Sequence, residues 1–253
     1  MQPAQFKSHR QGKGALEELG LFDYARRLHA LLRERLVAVY LGGSFSSGEF
    51  RPGASDYDVL VLVSGEPTDS EVARLRQLHE RLAADAPESR LLEGDYVPLH
   101  TLVATGTTEP TWWFRGGTLR DREFMLSADN VANMGRTAIS VFGPPAATIL
   151  PAVSADQVRE AVREMMGEEP DGSSERSAAR ELLDLARSLR ALESGEPTSR
   201  TAGLAFAMTS MDQRWRGVMR RAAAVNGGAA VDERDDSLRR ALSDLRASLG
   251  LSP

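Results

Sequence analysis

The sequence has no cysteine, which excludes disulfide bonds, thiolate nucleophiles and cysteine-based zinc sites. Its histidines lack any spacing typical of metal ligands, and no Gly-x-x-x-x-Gly-Lys-Ser/Thr phosphate loop is present. The apolar runs stay far below the length that spans a membrane, and residues 1–10 lack the apolar core of a secretory signal. We therefore expect a cytoplasmic protein with no membrane partner.

Clustered positive charge is also missing. Lysine occurs only at Lys7 and Lys13, and the net charge is −5. A nucleic-acid footprint normally needs clustered lysine and arginine, so we expect no nucleic-acid partner. An acidic protein would instead attract a cationic small molecule. With 253 residues, 42% of them apolar and 26% charged, the composition is that of a globular protein of one large or two modest domains.

The most informative stretch of the sequence contains two short apolar runs, residues 37–41 and 59–63. Both are rich in valine and bounded by glycine or proline, so they are predicted to be buried strands. Asp56 and Asp58 lead into the second run, and because residues i and i+2 of a strand share a face, their carboxylates point the same way. Such a pair repels unless a cation neutralises it, and oxygen ligands near a phosphate suit Mg²⁺. A solvated strand end is the alternative interpretation.

A turn of small residues, Gly42-Gly43-Ser44, follows the first run. Backbone N–H groups in such a turn can approach a phosphate without interference from a Cβ. The spacer between Ser44 and Asp56 is long enough for a short helix and a turn that bring its two ends together. A phosphate cradle that faces a metal-binding carboxylate pair is typical of phosphoryl or nucleotidyl transfer.

A third strand is predicted at residues 90–99, after an amphipathic helix at residues 71–85. Glu93 and Asp95 share one face of this strand, and strand–helix–strand topology places it beside the strand of the aspartate pair. A third carboxylate there could complete the metal site or accept the proton of an attacking hydroxyl. Alternatively, both side chains face water. His79, on the preceding helix, is expected at the surface.

Three consecutive aromatic residues, Trp112, Trp113 and Phe114, cannot all face one side of a regular element. At least one of them is expected to be partly exposed, where a broad ring can line a cleft for a sugar or a base. Packing of all three in the core is the alternative.

From Arg122 onward the sequence pattern is helical, with breaks at turns rich in glycine and proline. The predicted helices cover residues 122–136, 155–166, 175–194, 201–208, 211–225 and 234–249. We expect an α+β protein in which a small mixed β-sheet with helices, residues 1–115, precedes an all-α helical bundle, residues 116–253.

Two sets of motifs resemble known families. Gly43-Ser44, the spacer and Asp56-x-Asp58 resemble the signature of the polymerase-β-like nucleotidyltransferase superfamily. In the helical half, Leu185-Ala186-Arg187-Ser188-Leu189 and Ser199-Arg200-Thr201-Ala202 resemble the helical domain of aminoglycoside 3″-adenylyltransferases, which modify streptomycin and spectinomycin. The resemblance covers most of residues 37–220, and it identifies the N-terminal part as a nucleotidyltransferase domain.

The resemblance implies Mg²⁺-dependent transfer of AMP from ATP to a hydroxyl group of a small cationic acceptor, an aminoglycoside or aminocyclitol such as streptomycin or spectinomycin. It implies that Asp56 and Asp58 hold two Mg²⁺ ions. It also implies a third carboxylate on the strand at residues 90–99, and we choose Glu93 as this metal ligand and general base, with Asp95 as the alternative.

The resemblance further implies the residues that bind ATP. Gly43, Ser44 and Ser55 would contact the nucleotide from the first domain, and Arg187 and Arg200 would reach its phosphates from the helical domain. The family usually has lysine at the position of Arg200, so the charge is kept while the geometry changes.

The acceptor is expected in a cleft between the two domains of a monomer, in contact with Trp112 and Trp113. The family's acidic residue that contacts the antibiotic lies about three turns before the position of Arg187, and Glu175 is the nearest candidate. Its uncertain equivalence leaves open a different metabolite or a protein as the acceptor. A non-catalytic nucleotide-binding homologue is a further alternative, against which the intact carboxylates argue.

Overall fold

The computed structural model describes residues 20–51, 55–85, 87–103, 108–232 and 234–252. The chain forms two compact units, Met1–Ala152 and Val153–Pro253. The first combines a sheet with helices, and the second has helices and no strand among its described residues, which confirms the predicted α+β class. Within these ranges no helix has both the length and the apolar character needed to cross a membrane.

The sheet of the first unit has six strands. They are β1 (Leu36–Leu41), β2 (Tyr57–Val63), β3 (Leu92–Pro98), β4 (Thr108–Arg115), β5 (Thr118–Met125) and β6 (Ile139–Phe142). Their order across the sheet is β5-β4-β3-β2-β1-β6. β2 and β3 run parallel, whereas the other neighbouring pairs are antiparallel, so the sheet is mixed as predicted.

The described residues of the first unit form the helices α1 (Leu21–Leu32), α2 (Gly43–Ser46), α3 (Asp69–Asp85), α4 (Ala128–Thr137) and α5 (Ala146–Ile149). Two of these helices, α1 and α3, pack on one face of the sheet. Leu28 of α1 and Leu75 of α3 are fully buried against Val61 and Tyr96 of the sheet. Each such side chain contributes about 1.5–3 kcal/mol through burial. Because strand side chains alternate, the carboxylates of β2 and β3 lie on the opposite face.

The second unit is organised around its longest helix. It contains α6 (Ala155–Gly167), α7 (Glu175–Ser194), α8 (Arg200–Ser210), α9 (Gln213–Asn226) and α10 (Ser237–Ser248). α7 packs against the other four. Local signals fix the ends of α7, because Ser174 forms a capping box and Gly195 ends the helix in a left-handed conformation at φ 70°.

The first unit ends at Ala152, whereas the sequence predicted a domain boundary near residue 115. Residue 115 lies at the tip of a hairpin, where Arg115 pairs with Thr118 across two glycines. β5 therefore extends the sheet, and β6 returns to pair with β1. For the same reason the first of the predicted helices begins only at Ala128. The five helices of the second unit lie close to their predicted ranges.

The surface position predicted for His79 is wrong. Its side chain is buried, with Nε2 2.8 Å from the hydroxyl oxygen of Tyr96 and its ring stacked on Phe114 at 4.3 Å between centroids. The Tyr96 hydroxyl in turn lies 3.1 Å from that of Tyr24. Burial lowers the pKa of His79 to about 3. His79 is thus a neutral member of an aromatic cluster in the core.

Candidate active site

Three predicted site residues, Asp56, Asp58 and Glu93, lie together where β2 and β3 begin, in the middle of the sheet. In the parallel register of β2 and β3, Asp58 stands directly beside Glu93, so both side chains project from the same face. Asp56 precedes β2 and reaches the same place, because it shares the guanidinium of Arg115 with Glu93. As they stand, with the guanidinium of Arg115 bound to two of these carboxylates, no three acidic or histidine side chains of the described ranges are spaced to hold one metal ion.

The glycine turn after β1 is held against Asp58. The N–H of Gly42 donates to the carbonyl oxygen of Asp58 at 2.8 Å. Gly43 has φ +57°, and a Cβ there would lie 1.7 Å from Oδ2 of Asp58, so only glycine fits. Ser44 follows in the same turn of α2. The structure thus brings the predicted phosphate-binding turn to the carboxylates.

Ser55 is engaged with the loop that precedes Asp56. Its Oγ accepts the N–H of Arg51 at 3.1 Å, and its own N–H donates to the carbonyl oxygen of Arg51 at 3.0 Å. These bonds tie Ser55, the residue before Asp56, to Arg51. The contact of Ser55 with the nucleotide stays a prediction.

Both oxygens of the Glu93 carboxylate have partners on β4. The indole N–H of Trp113 donates to Oε1 at 3.2 Å, and Nε of Arg115 lies 3.5 Å from Oε2. Nη2 of Arg115 also donates to Oδ2 of Asp56 at 2.9 Å. Arg115 was not among the site residues predicted from the sequence. Its two-residue spacing from Trp113 was visible, but the pairing of Arg115 with Glu93 depends on strand register.

Asp95, the alternative third carboxylate, forms a bidentate ion pair with Arg122. The guanidinium donates twice to it, from Nε at 2.8 Å and from Nη2 at 2.6 Å. Burial raises the pKa of Asp95, an effect that Arg122 opposes. Arg122 also covers the ring of Trp113, 5.4 Å from its centroid. Because Asp95 is already bound to Arg122, the geometry favours Glu93, beside Asp58, as the third carboxylate of the site.

Strand alternation separates the two tryptophans. Trp113 lies on the carboxylate face, paired in register with Asp95. Trp112 and Phe114 are on the other face, where Trp112 is partly buried against the core and Phe114 is fully buried. The acceptor contact predicted for Trp112 therefore does not fit its position, whereas Trp113 stands at the site.

In the second unit, Arg187 and Arg200 meet on Asp184. Nε of Arg187 lies 3.0 Å from Oδ1 of Asp184, and Arg200 donates to both of its oxygens at 2.8 Å. Gly203 allows this meeting, because a Cβ there would lie 2.5 Å from the backbone of Arg187. The structure thus groups both predicted phosphate-binding arginines. Asp184 was not predicted from the sequence, although its i,i+3 spacing from Arg187 was a signal for this pairing.

Glu175 caps a helix and does not face a substrate. Its side chain is 4% exposed, and its oxygens accept the N–H groups of Leu238 and Arg239 at 3.0–3.1 Å. These N–H groups belong to the first turn of α10, where a carboxylate is favourable. The acceptor contact predicted for Glu175 therefore has to be corrected to a structural role.

Comparison with known proteins gives two successive family matches. Residues 25–96 match the family described as nucleotidyltransferase domain. Residues 148–248 match the family described as aminoglycoside adenylyltransferase, C-terminal domain. Together these matches span more than half of the chain. A search of curated proteins gives no match.

Among solved structures, the fold is similar to that of a spectinomycin adenyltransferase, AAD(9), from Enterococcus faecialis, determined with ATP and spectinomycin. The TM-score is 0.71 at 16% sequence identity, and the similarity covers 92% of this chain and 99% of that one. At this identity the likeness establishes a shared fold.

Proposed function

Because the chain belongs to the aminoglycoside adenylyltransferase-like family of nucleotidyltransferases, we propose that it transfers AMP from ATP to a hydroxyl group of a small cationic acceptor. The acceptor class is an aminoglycoside or aminocyclitol antibiotic such as streptomycin or spectinomycin. One observation carries the proposal: Asp58 stands beside Glu93 in the sheet, with the Gly43 turn packed on its carboxylate.

The donor set at the start of β2 and β3 suits Mg²⁺, because it consists of carboxylate oxygens. Asp56, Asp58 and Glu93 are the residues that would hold it, with Arg115 moved away from Asp56 and Glu93. When bound, Mg²⁺ offsets the negative charge of the triphosphate and of the departing pyrophosphate.

The residues of the chain divide the remaining work. A carboxylate oxygen of Glu93 accepts the proton of the acceptor hydroxyl, while the indole N–H of Trp113 holds the other oxygen in place. The hydroxyl oxygen forms a bond to the α-phosphorus of ATP as the bond to pyrophosphate breaks on the opposite side. Backbone N–H groups of the turn at Gly43 and Ser44, together with Arg187 and Arg200, bind the phosphates.

Fewer observations support the choice of acceptor than support the transfer of AMP. The AAD(9) structure contains spectinomycin, which favours an aminocyclitol. However, Glu175 is occupied as a helix cap, so the acidic residue that would contact a cationic drug is unassigned. A different hydroxylated metabolite or a protein acceptor is the second candidate, and this missing contact is the observation that favours it.

The test incubates the purified protein with labelled ATP, Mg²⁺ and a panel that includes streptomycin, spectinomycin and other aminocyclitols. We expect pyrophosphate release and a product heavier by one AMP, and we expect Asp58→Asn and Glu93→Gln to abolish both. Asp121→Asn, which removes an exposed carboxylate from β5, is the matched control and should remain active. ATP binding without modification of any antibiotic would exclude this acceptor class, and an active Asp58→Asn would exclude the site.

A further inference from the structure

The guanidinium of Arg115 contacts two of the three carboxylates of the site. It donates to Asp56 at 2.9 Å and lies 3.5 Å from Glu93, which is the strand neighbour of Asp58. The positive charge of Arg115 therefore occupies the cluster that a divalent cation would use.

The fold fixes where the backbone of Arg115 lies. Gly116 and Gly117 form the hairpin turn after it, with φ of 58° and 88°, values that favour glycine. The turn also packs on α3, because a Cβ at Gly117 would lie 2.5 Å from the Cβ of Ala83. Arg115 is thus held opposite Glu93 in the β3–β4 register, and its long side chain alone is able to reorient.

The ion pairs of Arg115 are weak compared with those of its neighbour Arg122. The side chain of Arg115 is 52% exposed, and ion pairs at such an exposed position contribute little to stability. Arg122, in contrast, donates two hydrogen bonds to the carboxylate of Asp95, a residue that is only 7% exposed. A divalent cation would therefore displace Arg115 from the site, whereas Arg122 stays in place.

We propose that Arg115 is a built-in counter-ion that positions Asp56 and Glu93 and is displaced from them when a divalent cation binds. The inference rests on the proposed function, since it takes these carboxylates as the cation site. Once displaced, the guanidinium remains beside the site, where a phosphate oxygen is a suitable new partner. Cation binding thus releases a residue for the nucleotide.

The test measures Mn²⁺ binding without nucleotide, by calorimetry or by the Mn²⁺ electron paramagnetic resonance signal. Removing the competitor in Arg115→Ala should tighten Mn²⁺ binding about three- to tenfold. Arg115→Gln keeps a polar stem without the charge and should also tighten it, which covers a failure of the alanine variant to fold. Arg120→Ala removes the same charge from an exposed position on β5 and should leave binding close to wild type.

Three results would overturn the inference. They are unchanged or weaker Mn²⁺ binding in both Arg115 variants, equal tightening in Arg120→Ala, which would indicate a general charge effect, and no Mn²⁺ binding by any variant. The proposed function is judged separately from AMP transfer by the wild-type protein. A wild type that transfers AMP, with Arg115 variants that bind Mn²⁺ as it does, would remove only the role of Arg115.

Discussion

Gly43 and Asp58 fit together so closely that a methyl group on Gly43 would lie 1.7 Å from Oδ2 of Asp58. The N–H of Gly42 donates to the carbonyl oxygen of the same aspartate, so the turn and the strand hold each other. The conformation of the turn therefore sets the position of one of the proposed metal ligands.

Gly43→Ala should reduce AMP transfer by about 100-fold or more, because displacement of a reacting group by about 1 Å has effects of this size. Gly48→Ala is the matched control, since Gly48 also has positive φ, at 76°, but a methyl group added to it would have nothing within 4 Å. Both changes carry backbone strain of roughly 1–3 kcal/mol. Turnover and thermal unfolding should be measured for both, and equal activity would contradict the packing role of Gly43.

Trp113→Phe should lower kcat by roughly 10- to 100-fold, because it removes one donor to a charged carboxylate, worth about 1.5–3 kcal/mol. The KM for ATP should change little. Trp112→Phe, the matched control on the opposite face, should reduce thermal stability and leave kcat near wild type. Steady-state kinetics of the two variants show which tryptophan stands at the site. A larger loss of kcat in Trp112→Phe would contradict the role of Trp113.

Glu175→Ala should lower the free energy of unfolding by about 2–3 kcal/mol, because it leaves the N–H groups of Leu238 and Arg239 without their acceptor. Glu175→Gln keeps one acceptor oxygen and should lose less. Neither should alter the KM for the acceptor. Chemical denaturation and kinetics are the measurements, and a raised acceptor KM at unchanged stability would restore the substrate role.

Asp184→Ala should cost about 1–3 kcal/mol of folding free energy, because Arg187 and Arg200 lose the carboxylate that both contact. Asp156→Ala is the control. Asp156 is also paired with an arginine, but its side chain is 94% exposed, so its loss should cost under about 1 kcal/mol. Urea unfolding of the two variants distinguishes them, and equal losses would contradict a shared anchor.

The buried His79 should make stability depend on pH. Its pKa in the folded state, about 3, lies below the ordinary 6.5, so on acidification the unfolded chain takes up the proton first. Stability should therefore fall as pH drops from 6.5 towards 3, by up to about 1.4 kcal/mol per pH unit from this group.

The measurement compares unfolding between pH 7 and pH 5 in the wild type, in His79→Gln, and in His29→Gln, which removes an exposed histidine on α1. His79→Gln should show a shallower pH dependence than the other two proteins. Identical slopes in all three would contradict a buried neutral His79.

Features that depend on neighbours along the chain were readable from the amino-acid sequence alone. The two-residue period of a strand put Asp56 and Asp58 on one side, and helical periodicity with breaks at turns rich in glycine and proline located the helices of the second unit. These signals act within a few residues, so they need no knowledge of the folded chain.

Which strands meet, and in which register, became known only from the folded chain. That register put Arg115 opposite Glu93, turned Trp113 towards the carboxylates and Trp112 towards the core, and extended the sheet beyond residue 115. A shift of one residue would turn every side chain of a strand to the other face, and the packing of the whole sheet on its helices prevents it. Hydrogen bonds between strands distant in sequence leave no local pattern. For this reason the residues of the site could be predicted from the sequence, whereas the contacts between them could not.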